Sequence, residues 1–143
     1  MAKNGKAEEK KKINIALQGH FALGCAQAGI DIVSMAASKR GIDFLGDAAK
    51  KLADELAACK LATAEAQKSV DEETTEERLQ VRAWAIDLAV RCAHAAVTAS
   101  SGAANSIKHP AQRVYREALV YTVSAQTTPV MKATMDRLVG RGG

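Results

Sequence analysis

Aromatic residues are almost missing from this chain: one Trp, two Tyr and two Phe, 3% of 143 residues. Five scattered rings cannot build the stacking platform on which single-stranded nucleic-acid binders depend. Val, Ile, Thr and aromatics are too few for a sheet protein. Proline occurs only twice. Three cysteines, an odd number, do not make a disulfide framework. No apolar run is read as a membrane span, and Met1-Ala2-Lys3-Asn4-Gly5 does not open a signal peptide. The expectation is a cytoplasmic, reducing setting with no membrane and no nucleic-acid partner.

Motifs of known chemistry are also missing. His20, His94 and His109 fall on different segments, and Cys92 and His94, two apart on a helix, point away from each other. No HxxxH, CxxC or ExxH spacing occurs, so no metal site is expected. Neither a Walker loop nor GxGxxG is present. Cys25, Cys59 and Cys92 sit on apolar or small-residue stripes and read as buried small hydrophobes. Ser100-Ser101-Gly102 is no nucleophile elbow, because no strand precedes it. Asp71, Glu72, Glu73, Glu76 and Glu77 make a solvated acidic loop. Arg113 and Arg116, with Lys108 just upstream, read as helix-surface charge. No catalytic residue emerges from spacing.

Alanine is what the chain has instead, 29 residues of it. Ala has the highest helix propensity and lets helix axes approach. With 48% apolar and 25% charged residues this is the composition of a folded domain, and the length suits one. The net charge of +4 is uneven. Residues 1–12 carry five lysines against two glutamates, and the other 131 carry 15 basic and 14 acidic side chains. The excess is read as a disordered basic tail over 1–12, ahead of a nearly neutral helical domain over 13–143.

Periodicity divides that domain into four helices and a short fifth. The first spans about Ile13 to Arg40, with Ile13, Leu17, Phe21, Gly24, Ala28, Ile32 and Met35 on one face. Gly24, Cys25, Ala26, Ala28 and Gly29 crowd its middle and predict a close helix crossing. Gly41 stops it. The second, about Leu45 to Ser69, carries Leu45, Ala49, Leu52, Leu56 and Cys59, with Asp43 or Asp47 favouring its start. The third, about Glu76 to Thr98, is capped by Thr74 or Thr75 and shows a stripe of Leu79, Ala83, Ile86, Val90, Ala93 and Val97. The fourth starts at Pro110 and presents Val114, Ala118, Tyr121 and Ala125. Pro129 interrupts it. Thr127 or Thr128 then caps a last helix with Met131, Met135 and Leu138 inward. The expectation is an all-α, antiparallel up-and-down four-helix bundle with a short extra C-terminal helix.

Several segments resemble a known family. Ala22-Leu23-Gly24-Cys25-Ala26-Gln27-Ala28-Gly29-Ile30-Asp31, with Arg40 nine residues after Asp31, is similar to the first helix of the C-terminal domain of acyl-CoA dehydrogenases. Lys51-Leu52-Ala53-Asp54 resembles that domain's second helix. Ser101-Gly102 followed by Pro110-Ala111-Gln112-Arg113-Val114-Tyr115-Arg116-Glu117-Ala118 resembles its glycine-pair loop and the Pro-x-x-Arg-x-x-Arg-Asp-Ala helix start. The likeness runs over roughly residues 13–139.

The resemblance implies FAD, a thioester substrate, and a dimer or tetramer built through the bundle. It places Arg40 near the cofactor pyrophosphate, Phe44 as a nearby aromatic, Ser101 and Gly102 against the adenosine half of a neighbour's FAD, and Thr127 near the cofactor. Four departures qualify it. The family's catalytic carboxylate falls at Ala125, which cannot abstract a proton. Lys12 and Ile15 replace a substrate-lining Asp-x-x-Arg. Ser101 replaces the first glycine of the pair. The helical and β-domains that hold the flavin have no counterpart in these residues. The expected function is therefore an oligomerising bundle that is not catalytic alone and retains no FAD by itself. The alternative is one part of a flavin-dependent oxidoreductase that needs a separate FAD-binding chain or domain.

Overall fold

The computed structural model describes the backbone at residues 2–68 and 75–140, and side chains from residue 19 onward within those ranges. Five α-helices occur among the described residues, and no strand: α1 (Ala2–Arg40), α2 (Asp43–Lys68), α3 (Thr75–Ser100), α4 (Pro110–Val123) and α5 (Thr128–Gly140). A 3-10 turn, Ser101–Asn105, links α3 to α4. The backbone of α1 is helical from Ala2, so the lysine-rich stretch shares a helix with the core segment. Ser69, Thr74 and the acidic residues Asp71, Glu72 and Glu73 lie outside the described residues.

The helix ends follow local chemistry. Gly41 ends α1 in the left-handed region, φ 61°, which glycine adopts without strain. His109 caps α4, its Nδ1 accepting from the Ala111 amide at 3.1 Å, with Pro110 in the first turn. Pro129 sits at the start of α5, where its missing N–H costs nothing.

Contacts between the helices fix the directions. His20 meets Gln67 at 3.0 Å, and Arg78 Nε donates to the Ala66 carbonyl at 2.9 Å. Arg40 Nη1 donates to the Ala99 carbonyl at 3.2 Å, and Arg82 Nη2 to the Ser124 carbonyl at 3.1 Å. The four long helices therefore alternate in direction, and α1 and α3 run parallel. That parallel pair packs most extensively, with α2 and α4 flanking it and α5 laid on α3.

The reason lies in small side chains. A Cβ placed on Gly29 would stand 2.6 Å from the Cys92 carbonyl oxygen, so only glycine permits this approach of α1 to α3. The expected close crossing is here. The buried face of α1 is Ala22, Leu23, Cys25, Ala26, Ile30 and Val33, a rotation away from the stripe read in the sequence. Phe21, at 51% exposed, and Met35, at 69%, stay largely outside. The small residues turn inward because the shortest axis distance buries the most backbone. Gly19–Arg40 is also long and apolar enough to cross a membrane by composition, correcting the view that no run reached that length. Its apolarity is used here in packing against α3.

Helix α3 is apolar on two faces. Ala85, Leu88, Ala89, Cys92 and Ala96 join the main core. Leu79, Ala83 and Ile86 form a second, smaller cluster with Val130 and Ala133 of α5. Here the sequence reading needs correction: Val130, Ala133 and Thr134 face inward, while Met131, Met135 and Leu138 are 53%, 54% and 49% exposed. The smaller side chains allow α5 to lie close on α3, and Arg137 anchors the same side.

Candidate functional site

The C-terminal end of α1, the end of α3 and the start of α4 enclose a groove of about 390 Å³. Ile32, Met35, Ala36 and Pro110 give it an apolar lining and Lys39 and Arg40 a basic rim; His109, whose Nδ1 accepts from the Ala111 amide, lines it too. Ser100 and Ser101 close one side. Arg40 is oriented by its bond to the Ala99 carbonyl. Such a cleft suits a ligand with a flat apolar part and an anionic part.

Of the residues singled out by resemblance, Arg40 and Ser101 line this one groove. Gly102 is exposed on the adjoining turn and does not line it. Phe44 stands in the first turn of α2, 70% exposed and outside the groove. Thr127 lies between α4 and α5, its carbonyl accepting from the Met131 amide at 2.8 Å. The 14 residues of α4 separate it from Pro110, a rise of about 21 Å.

Among the described residues, two hold left-handed backbone without being glycine: Ser101, φ 55°, and Ala125, φ 52°. Each follows the end of a helix, and each carries roughly 1–2 kcal/mol of local strain.

A charged cluster joins α2, α3 and α5. Arg91 grips Glu55 with both terminal nitrogens, one at 2.8 Å, and Trp84 Nε1 donates to Glu55 at 2.8 Å. Asp87, 3% exposed, accepts from Arg137 Nε at 3.0 Å and from Arg91 at 3.3 Å. The Arg137 guanidinium lies 5.4 Å above the Trp84 ring. The Arg91 bonds hold the Glu55 carboxyl down at about 2, against the opposing effect of burial, with help from Trp84 and Arg137. The sequence reading missed this cluster. Its one local sign was Asp87 and Arg91 four apart on a helix, acid before base. Glu55 and Arg137 reach it only through the fold.

Arg82 was missed too. It is 2% exposed, and one nitrogen holds the turn after α4 by bonding Ser124. Its Nη1 is buried without a hydrogen-bond partner among the described residues. The thiols behave as expected. Cys25, Cys59 and Cys92 are free and buried, and burial pushes them up to about 11, 11 and 12. His94 is exposed, set edge-on to Tyr115 at 6.4 Å. Arg113 pairs with Glu117 at 3.7 Å on the α4 surface. No group of three or more metal-ligating side chains occurs among the described residues. Comparison with protein-family models, with curated proteins and with solved structures found no match.

Proposed function

We propose that this chain is an acyl-CoA-dehydrogenase-like C-terminal domain, a four-helix bundle with a short fifth helix. It works by association, with itself or with a flavin-binding chain, and does not catalyse alone. The observation that carries this reading is the meeting of Arg40 and Ser101 in one groove. They come from motifs far apart in sequence, and the chain is left-handed at Ser101, where the family's glycine would be unstrained. The alternating helices and the glycine crossing of α1 on α3 agree with it.

The groove residues fit the anionic half of a flavin dinucleotide. Lys39 and Arg40 supply charge for a diphosphate, and Met35 and Pro110 supply apolar surface. When bound, the flavin would bring the redox chemistry. This chain's part is to hold the diphosphate end. Ala125 leaves that role without a proton-abstracting base on this chain. Because it supplies only the diphosphate end of such a site, the isolated chain is expected to be colourless, with its thiols reduced in a cytoplasmic setting.

The alternative is one component of a flavin-dependent oxidoreductase, active when a flavin-binding chain is supplied. The basic rim of the groove favours it. One measurement separates the two: absorbance in the flavin bands, with and without a candidate partner, alongside mass in solution. Flavin retained only with a partner supports the component reading, and Arg40→Ala should then weaken retention. Retention unchanged by Arg40→Ala removes the groove from the site.

A further inference from the structure

The Arg82 guanidinium is buried, 2% exposed, and no carboxylate among the described residues pairs with it. Burial is what pulls its pKa below the ordinary arginine value. One terminal nitrogen, Nη2, donates to the Ser124 carbonyl at 3.1 Å, at the partly negative end of α4. The other, Nη1, is buried without a partner among the described residues. Arginine cannot discharge at neutral pH, so the charge stays. A buried charge without a counter-charge costs far more than an unpaired neutral group. Arg82 also lines a cavity of about 10 Å³, together with Gly19 of α1, Thr63 and Gln67 of α2, and Arg78 of α3. Arg78, one turn before Arg82 and 8% exposed, brings a second positive charge to the same wall. The first turn of α3, the positive end of that helix, lies here as well. No carboxylate is among the residues lining the cavity.

We infer that this cavity between α1, α2 and α3 is a binding site for one monatomic anion, of the class of chloride, held against Arg82. Charge is the first argument. A water molecule would satisfy an N–H but would leave two buried guanidinium groups in one wall without a counter-charge. Size is the second. The cavity has room for about one water-sized occupant, which suits a single halide after slight adjustment and excludes phosphate, sulfate and organic acids. Access to the bundle's interior from this end is narrow, because Thr63 and Ala66 beside the site are themselves buried. The site is independent of the groove at the other end of α1. Gly19 and Arg40 are 21 positions apart on that helix, about 31 Å.

Unfolding of the full chain in sodium chloride, with sodium gluconate making up a constant ionic strength, tests this. An anion that binds the folded chain alone should raise the folding constant about tenfold for each tenfold rise in chloride once the site is filled. Arg82→Met should remove that dependence, and Arg116→Met, at an exposed arginine of α4, should keep it. Should Arg82→Met fail to fold, Gly19→Ala gives the same reading. Its added methyl meets only the Thr63 methyl, at 3.9 Å, so the fold accepts it while the cavity shrinks, and the chloride dependence should fall at least roughly tenfold in affinity. Line broadening of the chloride-35 resonance by the folded wild type, lost on unfolding in urea, is the direct signal. Equal stability in chloride and gluconate without such broadening would mean that water alone occupies the cavity, and overturns the proposal. A dependence that survives both Arg82→Met and Gly19→Ala overturns it as well, since the anion then binds elsewhere.

Discussion

The seam between α1 and α3 and the contact between α3 and α5 bury neighbouring faces of one helix by different means. At the seam the side chains are glycine, alanine and cysteine, and backbone meets backbone. Under α5 the apolar cluster is five residues, and much of the hold comes from Arg137 on Asp87 and over Trp84. The first contact has no slack, since its fit depends on absent atoms. The second is small, partly ionic, and leaves the outer edge of α5 apolar and open. One helix thus joins a rigid core to an element held by conditions such as pH and salt.

The largest effect should come from filling the seam. Gly29→Ala puts a methyl 2.6 Å from the Cys92 oxygen and 2.7 Å from its carbon, both backbone atoms that cannot swing aside. The two helices must part, at a cost of about 3 kcal/mol or more, which exceeds the ~1 kcal/mol gained in helix propensity. Gly24→Ala, one and a half turns earlier with nothing within 4 Å, has only the gain and should stabilise by about 0.5–1 kcal/mol. Urea unfolding of both variants measures this. Equal shifts of the same sign would mean that the seam is not tight.

Asp87→Ala should come next. It strips two arginines of their shared carboxylate and loosens α5, for about 2–3 kcal/mol. Hydrogen exchange should then rise in α5 before it rises in α1. If both helices respond together, the two contacts are one cooperative unit and the comparison fails.

How much of this was legible beforehand depended on range. The all-helical class, the stop at Gly41, the start at Pro110 and the close crossing follow from residues within a few positions of one another. The faces were harder. On α1 the largest apolar residues, Phe21 and Met35, drew the stripe to the wrong side, because a face meant for close approach is marked by small residues. On α5 the same bias put Met131 and Met135 inward. The Glu55 cluster gathers three helices, and no local pattern announces that. The groove that Arg40 and Ser101 line has no local sign, since nothing local says that the end of α1 and the turn after α3 meet.

Acid should weaken the charged cluster that joins α2, α3 and α5 more than the seam. The folded state holds Glu55 at about 2, below its ordinary 4.5, chiefly through Arg91. A depressed carboxyl contributes stability above its unfolded value and loses it as pH falls through the folded one. The loss should therefore run from about pH 4.5 down to 2. With Glu55 still 29% exposed, solvent screening limits it to on the order of 1–2 kcal/mol. Glu55→Gln should flatten the stability profile across that window, while Gly29→Ala should shift it uniformly. A Glu55→Gln profile parallel to wild type would show that the cluster does not carry the acid sensitivity.

The smallest effects test the joints beside the two contacts. Gly41, φ 61°, ends α1 with open space around it, so Gly41→Ala should lose about 1 kcal/mol from backbone strain alone. Ala125, φ 52°, is the reverse case at the end of α4. Ala125→Gly removes that strain but adds freedom to the unfolded chain, leaving a net gain of about 0.5 kcal/mol. Opposite signs in thermal unfolding are the expected result. A loss at both positions would mean that Ala125 is held there by contacts of its methyl. The turn would then owe its shape to packing around α5 and not to the helix-ending geometry that Gly41 provides at α1.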